Sequence, residues 1–355
     1  MKLSIDDSIR AVPYYPKAAL YGADAGWTRL SSNENAYAPS PRVIEAMMDA
    51  LFEINRYPEG EAELKSALAV KYGLKPHNFL IGNGSNEMIE ATFRALKLKG
   101  RTGVIVTEPT FAFYRIAAQI YGYDVVSVPL DSFRIDLKAV AGRIDEKTRV
   151  VMLCNPNNPT GTIFHDRAFA AFLRSLPPEI LVVVDEAYSE FADSELFPRS
   201  LSYVDEHPVL VLRTFSKAYG LAGLRIGYAA GEASLVSFIE RTKQPFSVNM
   251  MALIAAKAAL RDERHLERVL ENNRQGRKYF HDALKAMEVE FLPSQANFVF
   301  IEIGPDAEAL TGRLFEKKIL VRWLGAYKLP EYIRVTVGTM DENKAFIEAL
   351  KRWRG

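Results

Sequence analysis

The chain has 355 residues, of which 48% are hydrophobic and 25% are charged, and its formal net charge is +1. This composition is typical of a globular protein large enough for two structural units, and it argues against intrinsic disorder. Because the charges balance, no overall field would attract nucleic acid or an anionic membrane, so we expect neither as a partner. The single cysteine, Cys154, excludes an intrachain disulfide framework and favours a reducing compartment, which we take to be the cytoplasm.

The sequence also lacks signals for membranes and metals. No apolar stretch is long enough to span a bilayer, and the N-terminal stretch MKLSIDDSIRAVPYYPKAAL lacks the apolar core of a signal peptide. The histidines are scattered without the spacing of a zinc motif. We therefore expect no structural metal.

Short β-branched runs alternate with amphipathic stretches between residue 79 and about residue 230. The runs are FLIGNGS, GVIVTEP, DVVSVPL, VVMLCNP, ILVVVDEAY, VLVLRTFSK and LRIGYAA. Near-continuous apolar runs that end in turn residues predict the buried strands of an α/β domain, with a mostly parallel seven-stranded sheet flanked by helices. Ligands bind at the carboxyl ends of the strands in such sheets, so the polar ends of these runs should form one site.

The pattern changes near residue 250. There, MALIAAKAALRDERHLERVLENNRQGRKYFHDALKAM predicts one long helical segment. Separate strand signals follow in ANFVFIEI, ILVRWL and YIRVTVG, before a final charged helix. This region predicts a smaller α/β unit packed closely against the first.

The turn GNGSNE begins like a dinucleotide-binding fingerprint, but Glu87 fills the third glycine position. Neither the P-loop pattern GxxxxGK[ST] nor the hydrolase pattern GxSxG occurs in the sequence. What remains is a Gly-Ser-Asn turn at the start of a predicted helix, where main-chain N–H groups can bind a phosphate. A plain helix cap is the simpler explanation of this turn taken alone.

Two ionisable residues stand out at the ends of apolar runs. Lys217 lies among small and hydroxylic residues in TFSKAYGLAGLRIG, although a lysine taken alone would be a solvated surface residue. Asp185 follows five apolar residues in ILVVVDEAY, and a carboxylate at the end of a buried strand needs a cationic or protonated partner. A protonated pyridine nitrogen would be such a partner, and Tyr188 could donate a hydrogen bond into the same pocket.

Together these residues fit one molecule, pyridoxal 5'-phosphate. Lys217 would form a Schiff base with it, and its freed amine would then move a proton as a general acid–base, with burial and cationic neighbours lowering its pKa. Phe111 would stack on the ring and Asn158 would add an amide, although a core phenylalanine and a proline-rich turn explain these two residues singly. This chemistry predicts transamination. The predicted phosphate ligands are Ser85, Asn86, Thr214, Ser216 and Arg225.

The sequence resembles the fold type I pyridoxal-phosphate-dependent aminotransferases over nearly its whole length, and most of all the histidinol-phosphate aminotransferases. The motifs behind the resemblance are VPYYP, LSSNENAYAPSP, RYPEG, GNGSNE, NPNNPTG, VVDEAY, TFSKAYGLAGLRIGY, ANFVF and LPEYIRVTVGT. The resemblance implies a large cofactor-binding domain over residues 36–245 and a small domain of residues 1–35 and 246–355. It also implies a step of histidine biosynthesis, in which L-histidinol phosphate and 2-oxoglutarate give imidazole acetol phosphate and L-glutamate.

The resemblance also assigns roles by position. It makes Lys217, Asp185 and Tyr188 the catalytic residues, with Tyr188 and Asn158 donating to the ring hydroxyl oxygen. Phe111 takes the stacking position, where many relatives have Tyr or Trp. Tyr57 in RYPEG matches a tyrosine that reaches the cofactor phosphate of the neighbouring subunit. A homodimer with shared active sites is therefore implied.

Three residues match substrate-binding positions. Arg334 matches the arginine that binds the substrate carboxylate, whereas Arg322 and Tyr14 match positions that bind a substrate phosphate. A solvated arginine at a strand edge remains an alternative for Arg322. Other functions also remain open: an aromatic amino-acid aminotransferase, a threonine-phosphate decarboxylase, or a transcription regulator that senses the cofactor. The regulator would need an added DNA-binding domain, which we do not expect because the resemblance begins within the first few dozen residues.

Overall fold

The computed structural model describes residues 7–16 and 26–354. In these residues the α-helices are α1 (Asp7–Arg10), α2 (Pro41–Ala50), α3 (Glu61–Tyr72), α4 (Gly84–Leu96), α5 (Phe113–Ile120), α6 (Leu137–Ala141), α7 (Asp166–Ser175), α8 (Ala233–Glu240), α9 (Met250–Leu260), α10 (Glu263–Ala286), α11 (Ala307–Glu316) and α12 (Met340–Arg354). The strands are β1 (Thr28–Arg29), β2 (Phe79–Gly82), β3 (Gly103–Glu108), β4 (Asp124–Pro129), β5 (Thr148–Cys154), β6 (Leu181–Asp185), β7 (Val209–Thr214), β8 (Gly227–Gly231), β9 (Phe291–Leu292), β10 (Phe298–Glu302), β11 (Ile319–Leu320), β12 (Arg322–Trp323) and β13 (Tyr332–Thr336).

The largest sheet in the described residues has seven strands in the order β2-β8-β7-β6-β5-β3-β4. Its pairs are parallel except at β8, which is antiparallel to both of its neighbours. The central strand β6 is buried along its whole length. Burial on both faces explains the near-continuous apolar runs in the sequence, and the predicted α/β fold with a mostly parallel seven-stranded sheet is confirmed.

Helices cover both faces of this sheet. Val183 faces a core that contains residues of α4, α5 and α8, whereas its neighbours Val182 and Val184 face another core that contains residues of α6 and α7. Successive side chains of a strand point to opposite faces, so one apolar run fills two cores. This packing holds the carboxyl ends of β5, β6 and β7 side by side.

A second unit is built on the antiparallel sheet β12-β13-β10-β9, which packs against α10, α11 and α12. Strand β1 pairs in parallel with β11, and the adjacent Leu30 lies in the core of this unit. The chain just before residue 31 is therefore attached to the C-terminal unit. The predicted domain limits stay a prediction.

Helix α9 packs with the large sheet. Its residues Ala252, Leu253 and Ala256 share a core with Phe79 and Tyr228. The sequence assigned this helix to the small domain, with a limit at residue 245, and that limit stays a prediction. The predicted single long helix is also wrong, because α9 and α10 are separate and the side chain of Asp262 caps the start of α10.

No helix in the described part of the chain is long and apolar enough to span a bilayer.

Candidate active site

The polar ends of the large-sheet strands meet at one cavity of about 480 Å³. Residues from the C-terminal unit, including Arg334 on β13, complete its wall. The cavity therefore lies between the two units, at the carboxyl edge of the large sheet. The predicted site residues that line it are Ser85, Asn86, Phe111, Asn158, Asp185, Tyr188, Thr214, Ser216, Lys217, Arg225, Arg322 and Arg334.

Asp185 is buried at the carboxyl end of β6. Its Oδ1 accepts a hydrogen bond from the main-chain N–H of Ala187 at 3.1 Å, and its Oδ2 accepts one from the hydroxyl of Tyr114 at 2.7 Å. Burial raises the pKa of Asp185 to about 6, although these two bonds and the nearby charge of Lys217 oppose the shift. The carboxylate is thus mostly ionised at neutral pH and favours a cation in the cavity.

Lys217 follows β7 and reaches into the same cavity. Its Nζ donates a hydrogen bond to the main-chain oxygen of Ser32 at 3.0 Å and lies 5.7 Å from the centre of the Tyr188 ring. Burial lowers the pKa of Lys217 to about 7, and the guanidinium groups of Arg334 and Arg225 act in the same direction. A large fraction of this amine is therefore unprotonated at neutral pH, which makes it nucleophilic.

The end of the cavity at helix α4 can bind an anion. Ser85 and Asn86 lie in the first turn of this helix, where main-chain N–H groups have no intrahelical acceptor. Arg225 donates from Nη1 to Oγ of Ser216 at 3.3 Å. Gly84 allows this guanidinium to approach the helix, because a Cβ there would lie 2.9 Å from Arg225 Nη2. A helix N-terminus, hydroxyl groups and a guanidinium together suit a phosphate.

Arg334 connects the two sides of the cavity. Its Nη1 donates to Oδ1 of Asn158 at 2.5 Å, and its Nη2 donates to the main-chain oxygen of Ser31 at 2.7 Å. Tyr188 lies beside it, with its phenolic oxygen accepting a hydrogen bond from Nδ2 of Asn33 at 2.9 Å. Asn158, Tyr188 and Arg334 are all buried. These polar groups are therefore held in fixed positions by partners from both units.

Two predicted site residues lie outside this cavity. Tyr14 is 100% exposed, whereas its neighbour Tyr15 lines the cavity with its ring 6.0 Å from that of Phe111. Tyr57 is 76% exposed and stacks on Phe246 at 4.7 Å. Their predicted roles, including that of Tyr57 in a neighbouring subunit, stay predictions.

Sequence reasoning missed several residues of the site. Ser31, Ser32 and Asn33 line the cavity, and in the sequence they stand out only through the family resemblance of LSSNENAYAPSP. Tyr114 was also missed, and it lies three residues after Phe111. The available signal was one hydroxyl-bearing aromatic residue next to Arg115, in the mostly apolar stretch FAFYRIAA.

No group of three or more His, Cys, Asp or Glu side chains in the described residues could hold a metal ion. A nucleophilic amine and a buried carboxylate at the carboxyl edge of the sheet, opposite an anion-binding helix end, are instead the features of a fold type I aminotransferase. The chain belongs to the family described as aminotransferase class I and II, which matches residues 25–350.

Within this family, the chain is similar to several histidinol-phosphate aminotransferases. The chain is 41% identical to the histidinol-phosphate aminotransferase of Moorella thermoacetica, over 91% of this chain and 84% of that protein. It is 40% identical to histidinol-phosphate aminotransferase 1 of Cupriavidus pinatubonensis, over 98% of this chain and 94% of that protein. A crystal structure of the Sinorhizobium meliloti histidinol-phosphate aminotransferase in complex with pyridoxal-5'-phosphate superposes with a TM-score of 0.86 at 30% identity, covering 98% of this chain and 96% of that one.

Proposed function

We propose that this protein is a pyridoxal-phosphate-dependent aminotransferase that transfers the amino group of L-histidinol phosphate to 2-oxoglutarate. The products are imidazole acetol phosphate and L-glutamate, in histidine biosynthesis. The observation that carries the proposal is the cavity that Lys217, whose pKa burial lowers to about 7, lines together with buried Asp185 and with Arg322 and Arg334, which are partners across β12 and β13. The names of the relatives at 41% and 40% identity support the choice of substrate.

The residues present fit pyridoxal 5'-phosphate. The N-terminus of α4 and Arg225 would hold its phosphate, Asp185 would hold its ring nitrogen, and Lys217 would bind it covalently. A Cβ at Gly84 would lie 2.9 Å from Nη2 of Arg225, so the glycine leaves this guanidinium room beside the start of α4. When bound, the cofactor supplies a ring that withdraws electrons from the substrate Cα.

The protein's own groups provide the proton transfer and the orientation. Nζ of Lys217 is available without its proton near neutral pH, so it can accept the proton that leaves the substrate Cα and hold it for return. The carboxylate of Asp185 would hold a negative charge at the ring nitrogen. Tyr188 and Asn158 would hold the ring at its hydroxyl oxygen. Asp185, Tyr188 and Asn158 are all buried, which keeps bulk water away from these contacts.

The opposite end of the cavity suits an anionic substrate group. Arg322 and Arg334 are directly paired across the antiparallel strands β12 and β13. Like charges at such a position repel each other, and an anion that contacted both guanidinium groups would relieve this repulsion. A phosphate dianion uses both guanidinium groups more fully than a single carboxylate does. The same pair can bind a carboxylate of 2-oxoglutarate in the second half of the reaction.

We also infer a homodimer with shared active sites that works in the cytoplasm. A run of exposed apolar side chains precedes Tyr57, and contiguous patches of this kind mark interaction surfaces. We infer that a second copy packs on this surface and that Tyr57 of one subunit reaches the cavity of the other. The single cysteine suits a reducing compartment. The exposed apolar residues of this surface are Ile44, Met48, Leu51, Phe52 and Ile54.

A donor screen tests the substrate. Purified enzyme loaded with cofactor is offered L-histidinol phosphate, L-phenylalanine or L-threonine O-3-phosphate, each with 2-oxoglutarate, and the glutamate formed is measured. We expect the highest kcat/KM with L-histidinol phosphate. A preference for L-phenylalanine would assign the protein to the aromatic aminotransferases, and carbon dioxide release from L-threonine O-3-phosphate would assign it to the decarboxylases.

A further inference from the structure

Tyr114 contacts two of the groups that would hold the cofactor ring. Its hydroxyl donates to Oδ2 of Asp185 at 2.7 Å. Its ring packs edge-on against Phe111, with the ring centres 5.5 Å apart and the planes at 82°. Tyr114 is itself fully buried in α5, within the core that α5 shares with the large sheet. A rigid part of the fold is thus joined directly to both groups.

We propose that Tyr114 is a positioning residue that fixes the Asp185 carboxylate and the Phe111 ring against the pyridine ring of the cofactor. The inference rests on the proposed function, because it requires pyridoxal 5'-phosphate in the cavity. Tyr114 would act on the cofactor through Asp185 and Phe111.

The direction of the hydrogen bond is fixed by chemistry. Burial, together with the negative charge of Asp185, raises the pKa of Tyr114 well above its ordinary value, so the hydroxyl keeps its proton and donates. Asp185 is then the acceptor at Oδ2, and its Oδ1 accepts from the main-chain N–H of Ala187. Bonds to both oxygens fix the plane of the carboxylate. Each oxygen still has a second lone pair that can accept from a ligand.

The same bond favours the ionised form of Asp185. Burial favours the neutral acid, and the Tyr114 hydroxyl opposes this effect. Without that hydroxyl, the carboxyl group would bind a proton more readily at neutral pH. A neutral carboxyl group would no longer favour a proton on the nitrogen of the cofactor ring.

The substitution Tyr114→Phe separates these roles, because it keeps the ring that packs on Phe111 and removes the hydroxyl alone. The bound cofactor is labelled with ¹⁵N at its ring nitrogen, and the NMR signal of this nitrogen is followed against pH. We expect the nitrogen of the variant to lose its proton at lower pH than in the wild type. Hydrogen bonds to charged groups are strong, so the Kd of the cofactor should rise roughly tenfold.

Tyr123→Phe is the matched control. Tyr123 is a second buried tyrosine of the same core, and its hydroxyl donates to the main-chain oxygen of Phe93 at 2.8 Å. Its loss should reduce the free energy of unfolding to a similar extent while leaving the nitrogen titration and the cofactor Kd unchanged. In an Asp185→Asn background, Tyr114→Phe should have little further effect on the nitrogen signal, because its action passes through Asp185.

A folded Tyr114→Phe protein with wild-type nitrogen titration and cofactor Kd would overturn the inference. Equal changes in Tyr114→Phe and Tyr123→Phe would also overturn it, since the effect would then come from general destabilisation. A wild-type protein that does not bind the cofactor at Lys217 would overturn the proposed function instead. The two failures are therefore distinguishable.

Discussion

Asn33 donates a hydrogen bond from Nδ2 to the phenolic oxygen of Tyr188 at 2.9 Å, while its main-chain N–H donates to Oγ1 of Thr336 at 2.9 Å. Tyr188 follows β6 of the large sheet, and Thr336 ends β13, which carries Arg334. Asn33 therefore connects Tyr188, a predicted cofactor contact, to the strand that carries Arg334, a predicted substrate contact. Because the Tyr188 oxygen accepts from Asn33, its own hydrogen is directed elsewhere in the cavity.

Asn33→Gly should reduce kcat/KM roughly tenfold, because Tyr188 loses the bond that orients it. Asn33 has a φ of +54°, a conformation that glycine adopts without strain, so this substitution tests the side chain rather than the backbone. Steady-state kinetics measure the change in kcat/KM, and urea unfolding measures any change in the free energy of unfolding. Glu288→Gly is the control, since Glu288 is exposed and has a φ of +53°, and it should keep wild-type kcat/KM. Unchanged kinetics in Asn33→Gly would show that Tyr188 needs no such partner.

The lowered pKa of Lys217 predicts a pH-dependent stability of the cofactor-free protein. Between about 7 and its ordinary value of 10.5, the folded protein binds fewer protons at this amine than the unfolded chain does. The free energy of unfolding therefore rises with pH across this window. Burying Lys217 destabilises the protein most at pH values below the window. Lys217→Met should be more stable than the wild type below a pH of about 7, with the difference vanishing towards 10.5.

Urea unfolding of both proteins across this pH range measures the difference. Lys278→Met is the control, because Lys278 is exposed and pairs with Asp282 on the surface, so its effect should not follow the same curve. If the difference in the free energy of unfolding between the wild type and Lys217→Met did not change with pH, it would contradict a lowered pKa of Lys217. The same variant should be inactive in transamination at every pH.

The proposed sharing of active sites between subunits predicts complementation between two inactive or weakened chains. A Lys217→Ala chain and a Tyr57→Phe chain, mixed under subunit exchange, should form heterodimers in which one cavity has both Lys217 and the tyrosine of its partner. Activity should then exceed that of either homodimer. Phe52 is 90% exposed within the apolar surface before Tyr57, so Phe52→Glu in both chains should prevent dimer formation and the recovery. Proven exchange without recovered activity would argue that each chain forms its site alone.

The sequence predicted the site where a local pattern was sufficient. Asp185 and Lys217 each follow an apolar run, and the carboxyl edge of a parallel sheet brings such positions together. Asn33 and Tyr114 were missed because their partners lie 155 and 71 residues away in the chain. Only the folded chain brings such residues into contact. The break at Asp262 between α9 and α10 was missed because a charged cap inside a helical pattern looks like one more exposed residue.

Arg322 provides the sharpest test of the substrate. It faces Arg334 across β12 and β13, and it also donates to the main-chain oxygen of Pro16 in the N-terminal segment. A substrate phosphate between the two guanidinium groups would make charge-assisted bonds to both. Losing one partner of this kind should reduce kcat/KM for L-histidinol phosphate roughly ten- to a hundredfold in Arg322→Ala. The kcat/KM for L-phenylalanine should fall far less in this variant, because the side chain of L-phenylalanine carries no charge.

Arg322→Lys separates charge from geometry, since it keeps a cation but loses the planar fork that binds two phosphate oxygens together. We expect its kcat/KM for L-histidinol phosphate to lie between those of the wild type and Arg322→Ala. Arg313→Ala is the surface control, because Arg313 is exposed and pairs with Glu316 at 3.2 Å, and it should leave both donors unaffected. Equal losses on both donors in Arg322→Ala would mean that Arg322 supports the N-terminal segment at Pro16 rather than the phosphate. The substrate would then have to be chosen by other residues, and the aromatic aminotransferase function would gain support.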